Sequence, residues 1–291
     1  MNTADYLREV VDMLCRRIGH RSYLDHDRLM QTASYIAGQF SSFGYSVARQ
    51  QFSYRGSTYE NIEAELTGVG APERILVIGA HYDTVRTTPG ADDNASGVAG
   101  LLALARLFAG KRRRETIRFV AFALEEMPVY RTRNMASFRY AMGLKQRNEQ
   151  VEGMICLEMI GFFCDKKGSQ HYPLPFMKLI YPDRGDYIAM VGNLKSKGFT
   201  EGVAAEFRKG TDLPVVMLNA PPIVIGIDFS DHWSFNKLGY RAMMVTDTAF
   251  YRNPNYHAPT DLPETLDYER MSKVVEGLGF AIEKRGGHAA D

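Results

Sequence analysis

His81, Glu125, Glu126, Glu158 and His257, with Asp83 and the run Asp92-Asp93-Asn94, are the side chains here whose types and neighbours suit chemistry. His81-Tyr82-Asp83 follows the apolar run Ile75 to Ala80, Glu125-Glu126 follows Ile117 to Leu124, and Glu158 follows Met154 to Leu157. Asp92-Asp93 stands where a loop opens into the apolar stretch Gly97 to Ala109, and Tyr256-His257 adds a second imidazole far along the chain. Read singly, each has a plainer role: a hydrogen-bonded histidine, a helix cap, a strand end meeting solvent. Gathered at one edge of a sheet, these groups would repel one another and be poorly solvated unless positive charge sat among them. Oxygen and imidazole donors without thiolate suit a divalent ion, and Zn²⁺ accepts such ligands while keeping one position open. Two ions balance more of the charge than one, and a carboxylate-bridged pair can stabilise both the attacking and the leaving group in hydrolysis. Asp83, two residues beyond His81 on extended chain, faces the same side and is placed to orient that imidazole.

The elements that must position these residues are legible as patterns. Val10, Val11, Leu14 and Ile18, then Leu29, Ala33, Ile36 and Phe40, recur at helical spacing, so two amphipathic helices precede Gly44. Between Tyr45 and Thr67 the alternation of polar and apolar residues about Arg55-Gly56-Ser57 predicts an antiparallel pair. Ile75 to Ala80, Ile117 to Leu124, Met154 to Leu157 and Met243 to Val245 are near-continuous apolar runs, the mark of strands covered on both faces. Helical patterns at Gly97 to Ala109, Phe199 to Lys209 and Tyr268 to Lys284 lie between or after them. The order predicts an α/β fold, a mostly parallel sheet with helices on both faces and antiparallel edges. Ligands collect outside the carboxyl ends of such strands, where the acidic and imidazole residues fall. Gly161 to Pro175 and Asn219 to Asp231 lack periodicity and are expected to be long loops near the site.

Composition removes other classes. Hydrophobic residues are 45% and charged residues 24% of 291, which fits neither a disordered nor a fibrous chain. No repeat or linker divides the sequence, so a single domain over residues 1–291 is expected. A formal charge of +1 gives no drive toward nucleic acid or anionic membrane. Three scattered cysteines, no signal-like N-terminal run and no apolar stretch of membrane-spanning length predict a cytoplasmic protein.

His81-Tyr82-Asp83-Thr84, Pro89 through Gly97, Glu125-Glu126, Leu157-Glu158-Met159-Ile160 and Tyr256-His257 follow, in order and at similar intervals, the motifs of the co-catalytic zinc aminopeptidase family. Glutamate carboxypeptidase II and the one-zinc glutaminyl cyclases are relatives of that family. The sequence resembles it from about Ile75 to the last helix. The resemblance implies a three-layer αβα sandwich with a central mixed, mostly parallel sheet and two zinc ions at its carboxyl edge. By the same resemblance His81 and Glu158 bind one ion, Glu126 and His257 the other, and Asp93 bridges them, leaving Asp92 as a cap or support. Glu125 matches the general base and Tyr256 a donor to the developing oxyanion. The activity implied is that of an exopeptidase, most nearly an aminopeptidase, acting on peptide or aminoacyl substrates: a metal-activated water loses its proton to Glu125 and attacks the scissile carbonyl.

The sequence departs from the family pattern in two places. Family members usually carry Asp where Glu158 stands, and glycines with a Gly-Ser pair where Met127 to Arg133 follows the catalytic pair. Ser230-Asp231-His232-Trp233 holds the residue types of a serine triad, but adjacent residues cannot converge as nucleophile, base and orienter, and no G-x-S-x-G elbow is present. Asp231 and His232 are instead expected to line the substrate cleft. Two other readings remain open: a glutaminyl-cyclase-like acyltransferase, and a non-catalytic binding module on the same fold. The filled set of candidate ligands and the Glu125 base weigh against the second.

Overall fold

The computed structural model describes residues 1–285, so the last six positions of the expected 1–291 unit lie outside the described residues. Eight strands form one sheet in the order β1-β2-β4-β3-β5-β8-β6-β7. β1 (Val47–Tyr54) and β2 (Ser57–Leu66) are the expected antiparallel pair. Tyr54 pairs with Ser57, so the turn is only Arg55 and Gly56, both at positive φ, and Gly56 supplies the left-handed conformation that such a hairpin turn requires.

β3 (Ala71–His81), β4 (Glu115–Phe122), β5 (Gln150–Leu157) and β8 (Ala242–Thr246) are the runs buried on both faces, and they pair in parallel as β4-β3-β5-β8. β6 (Ile188–Gly192) and β7 (Val215–Asn219) complete the far side, with β6 antiparallel to β8. The helices divide between the faces. α1 (Thr3–Asp12), α2 (His26–Ser42), α3 (Gly97–Phe108), α5 (Lys197–Gly210) and α7 (Tyr268–Arg285) pack together on one face, and α4 (Ala136–Gln146) with α6 (His232–Lys237) covers the other.

The expected elements are all present, including the helix pair before Gly44. α4, α6, β6 and β7 are additions. α6 spans only six residues, too few to display a helical period, and the apolar run Val215 to Leu218 of β7 is too short for periodicity to mark it as a strand. Residues 161–175 and 219–231 form loops stitched by turns and one isolated bridge, Cys164 to Gly185. Among the described residues no helix is long and apolar enough to cross a membrane.

Candidate active site

Parallel pairing places the ends of β4, β3, β5 and β8 side by side. His81 is the last residue of β3 and pairs in register with Phe122, three residues before Glu125, while Glu158 directly follows β5. Asp93 comes from the turn before α3, and its peptide bond to Asn94 is cis. The Asn94 side chain clamps that turn: Oδ1 accepts the Gly97 and Met159 N–H groups at 3.1 and 3.0 Å, and Nδ2 donates to the Leu157 carbonyl at 2.9 Å. Asn94, rather than Asp92, therefore takes up the first N–H group of α3, that of Gly97.

These strand ends bring the predicted ligands into two three-membered groups that share one residue. His81, Asp93 and Glu158 form one, and Asp93, Glu126 and His257 the other. Nε2 of His81 lies 3.5 Å from Oδ1 of Asp93 and 3.1 Å from Oε2 of Glu158. Nε2 of His257 lies 3.1 Å from Oδ2 of Asp93 and 3.4 Å from Oε1 of Glu126. Zinc bonds of about 2.0–2.1 Å set neighbouring tetrahedral donors roughly 3.3 Å apart, so both sets are spaced as edges of a zinc coordination shell. The donors are nitrogen and oxygen only, and Oε1 of Glu126 is buried with no hydrogen-bond partner. The residues therefore fit the metal.

The supports are explicit. Nδ1 of His81 sits 3.2 Å from both the carbonyl oxygen and Oδ1 of Asp83, which holds a proton on Nδ1 and leaves Nε2 free to coordinate. The Asp83 carboxylate also accepts the backbone N–H groups of Glu125, at 2.9 and 3.0 Å, and Glu126, at 3.1 Å, locking the end of β4 to that of β3. Asp92 accepts from Gly161 N–H at 2.9 Å and Asn253 Nδ2 at 2.7 Å. The added methylene of Glu158 does not carry it past His81, because Ser230 Oγ holds its Oε2 at 2.5 Å.

Several supporting residues carry no signal in the sequence. Asp261 accepts the N–H groups of Asp92 and Asp93 at 2.9 and 3.1 Å, aiming the turn. Burial and the Asp92 charge push the Asp261 carboxyl up to about 7. Asp247 accepts from the N–H groups of Phe162 and Ala249, and burial raises it to about 6. Arg21 is fully buried and donates to the carbonyls of Leu14, Gly19, Tyr82, Pro89 and Gly90, tying the N-terminal helices to the loop that precedes Asp92.

Glu125 stands beside the two donor groups, and burial, with the charges of Glu126, Glu158 and Asp231 adding and His81 opposing, raises its carboxyl well above the usual range. His81 is pulled down by burial, but Glu158 and Asp83 outweigh that and leave it well above its ordinary value. Tyr256 packs face to face on His257, ring centroids 3.8 Å apart.

The donors open onto a cleft of about 230 Å³. Its floor is one face of the sheet, presented by alternate residues of three adjacent strands: Val216 and Leu218, Ala189 and Val191, Met244 and Thr246. The two long loops wall it with Gln170, His171 and Tyr172 on one side and Ile225, Ile227 and Phe229 on the other.

Asp231 and His232 correct the expectation that they line this cleft. Both are fully buried and neither is part of its lining. Nε2 of His232 bonds the Ile227 carbonyl at 2.6 Å, and burial lowers its pKa, so it is a neutral ring closing a loop. Asp231 lies behind the site, where burial pushes its carboxyl up to about 7 against the opposing charge of His81. Polar residues in an apolar context read as cleft lining in the sequence, but here they begin α6 beneath the sheet.

Comparison with known proteins agrees with this geometry. The sequence profile described as peptidase family M28 matches residues 61–182. The uncharacterized protein YfbL of Escherichia coli (strain K12) is 41% identical over 282 residues, covering 94% of this chain and 86% of that protein. Leucine aminopeptidase 1 of Ajellomyces dermatitidis is 25% identical over 287 residues, covering 90% of this chain and 67% of that protein. In fold, a zinc aminopeptidase from Bacillus subtilis superposes with a TM-score of 0.77 at 16% identity, covering 97% and 95% of the two chains. A glutaminyl cyclase of Bacteroides thetaiotaomicron reaches 0.71 at 17% identity, covering 96% and 97%, so fold alone does not separate hydrolysis from cyclisation. The site of carboxylates and imidazoles at these strand ends and the match to both profile and relatives lead to one assignment: the chain belongs to peptidase family M28.

Proposed function

We propose that this protein is a zinc-dependent aminopeptidase that holds two ions per chain and acts as a single catalytic domain over residues 1–291. The observation that carries the reading is the pair of three-donor groups sharing Asp93, with Glu125 beside them and an apolar cleft in front. His81, Asp93 and Glu158 would hold one ion, and Asp93, Glu126 and His257 the other. A metal pair, when bound, supplies Lewis acidity that polarises a carbonyl and lowers the pKa of water.

The chain's own residues do the rest. Glu125 takes the proton of the attacking water and returns it to the leaving amine. Tyr256 donates its hydroxyl to the carbonyl oxygen as charge develops there. Asp83 keeps His81 in the coordinating tautomer. The cleft lining includes carboxylates but neither Lys nor Arg, which favours a substrate ammonium over a substrate C-terminal carboxylate. That is the reason for preferring an aminopeptidase to a carboxypeptidase. The leucine aminopeptidase relative points the same way. A one-ion acyltransferase would leave the second donor group without a task. A cytoplasmic setting is part of the proposal and is supported by three unpaired cysteines.

The test is hydrolysis of aminoacyl amides and dipeptides against their N-acetylated counterparts, with and without chelator. Free-amine substrates should be cut, blocked ones spared, and zinc should restore chelated protein. Equal cleavage of blocked peptides would remove the aminopeptidase assignment. Glu125→Gln should lose roughly 10²–10⁴-fold in turnover while retaining zinc, and retained turnover would contradict the general base.

A further inference from the structure

Met127 to Arg133 directly follows Glu125-Glu126, and it brings Tyr130 into the cleft. Consecutive turns anchor the segment: Val129 N–H to the Glu126 carbonyl at 3.0 Å, then Thr132 N–H to the Val129 carbonyl at 2.9 Å. Phe229 packs edge-on against the Tyr130 ring, centroids 5.9 Å apart and planes at 85°. The ring is thus held from the backbone and from the opposite wall. Its hydroxyl is buried and has no hydrogen-bond partner among the described residues.

Burial raises the Tyr130 pKa far above that of a free phenol, and of the neighbouring charges Glu125 adds most. The group is therefore a protonated donor beside the general base, and no protein group accepts from it. Tyr256 lines the same cleft, where it stacks on the His257 ring with centroids 3.8 Å apart. A run of ring contacts joins the two phenols: Tyr130 to Phe229, Phe229 to Phe250 at 6.2 Å, and Phe250 to Tyr256 at 5.5 Å. A phenol thus stands at either end of this aromatic run, and both line the cleft.

We propose that Tyr130 binds the leaving side of the substrate, its hydroxyl donating to the main-chain carbonyl of the residue after the scissile bond. The assignment rests on the aminopeptidase reading. Glu125 delivers a proton to the leaving nitrogen, which therefore lies beside Glu125. In a peptide, the next carbonyl oxygen is three bonds from that nitrogen, on the side away from the acyl group that Tyr256 serves. A residue that reads this carbonyl distinguishes peptides from simple aminoacyl amides, because the latter have no such acceptor.

The experiment compares Tyr130→Phe with wild type on leucyl-glycyl-glycine and on leucine p-nitroanilide, with zinc content and thermal midpoint measured for both proteins. Phe keeps the ring and its contact with Phe229. The expected result is a roughly tenfold fall in kcat/KM for the tripeptide and less than a twofold change for the anilide, at unchanged zinc and midpoint. Equal losses on the two substrates would place the hydroxyl on the acyl side and overturn the proposal, as would no loss on either. A wild-type protein that cuts neither substrate would overturn the aminopeptidase reading, and this assignment with it.

Discussion

Ser230 donates its hydroxyl to Glu158 at 2.5 Å, and the oxygen that receives it is the one facing His81 at 3.1 Å. Ser230 Oγ also lies 3.1 Å from the buried Cys156 sulfur, so the serine is fixed from behind by β5. A glutamate has one more rotatable bond than an aspartate, and this hydroxyl removes the freedom that bond adds.

Ser230→Ala should therefore weaken metal retention more than it weakens the fold. Removing an outer partner of a ligand typically costs 10–100-fold in metal affinity or activity. Zinc retained against a graded series of chelator concentrations measures it. A variant that holds zinc as tightly as wild type would show that Glu158 needs no such restraint.

His257→Ala removes the imidazole of the second donor group and leaves the first intact, because His81, Asp93 and Glu158 do not depend on it. Zinc per chain, counted by atomic absorption, should fall by one ion. Unchanged metal content would deny His257 its ligand role.

Arg21→Met should unfold the protein more easily. The side chain donates to five backbone carbonyls in a fully buried setting, and methionine fills the volume while satisfying none of them. Buried polar groups left unmade cost about 1–3 kcal/mol each, so a loss on the order of 3 kcal/mol or more is expected in urea denaturation. A change below roughly 1 kcal/mol would mean that water replaces the guanidinium.

The metal-free protein should be more stable in mild acid than in mild base. Burial raises Asp247 to about 6 and Asp231 to about 7, so both carboxyls hold their protons more tightly folded than unfolded. Their contribution is fully present below the ordinary aspartate range near 4 and is lost as pH rises through 6 and 7. Thermal midpoints of chelated protein should be higher at pH 5.5 than at pH 8, and Asp231→Asn, which cannot ionise, should flatten the difference. An equal or larger pH dependence in that variant would assign the effect elsewhere.

Much of the fold was legible because strands covered on both faces leave unbroken apolar runs, as Ile75 to Ala80 and Ile117 to Leu124 do. β6 and β7 escaped although Ile188 to Val191 and Val215 to Leu218 are apolar, because runs this short are not told from helix segments by periodicity, and β8, equally short, was the one recognised. His81, Glu126 and Glu158 were legible because each stands at or just past the end of such a run, and parallel pairing brings those run ends to one edge, whereas Asp93 and His257 come from loops. The contact of Asp261 with Asp92 was hidden by a separation of 169 positions, and Ser230, singled out only as part of a triad-like run, was not linked to Glu158, 72 positions away. Tyr130 was hidden because nothing in the spacing of Met127 to Arg133 tells which of its side chains reaches the cleft. Asp231 and His232 misled because residue type records polarity, whereas packing decides which side of a sheet a side chain reaches.

The two donor groups differ in when the chain supplies them. His81, Asp93 and Glu158 have all been translated by residue 158, whereas the second group waits for His257, after β6, β7 and β8 have been made. A chain ending between Glu158 and His257 therefore carries the residues of the first donor group but not all of the second. The second donor group exists only in a chain that extends through His257, and truncation anywhere between Glu158 and His257 would leave the first group alone.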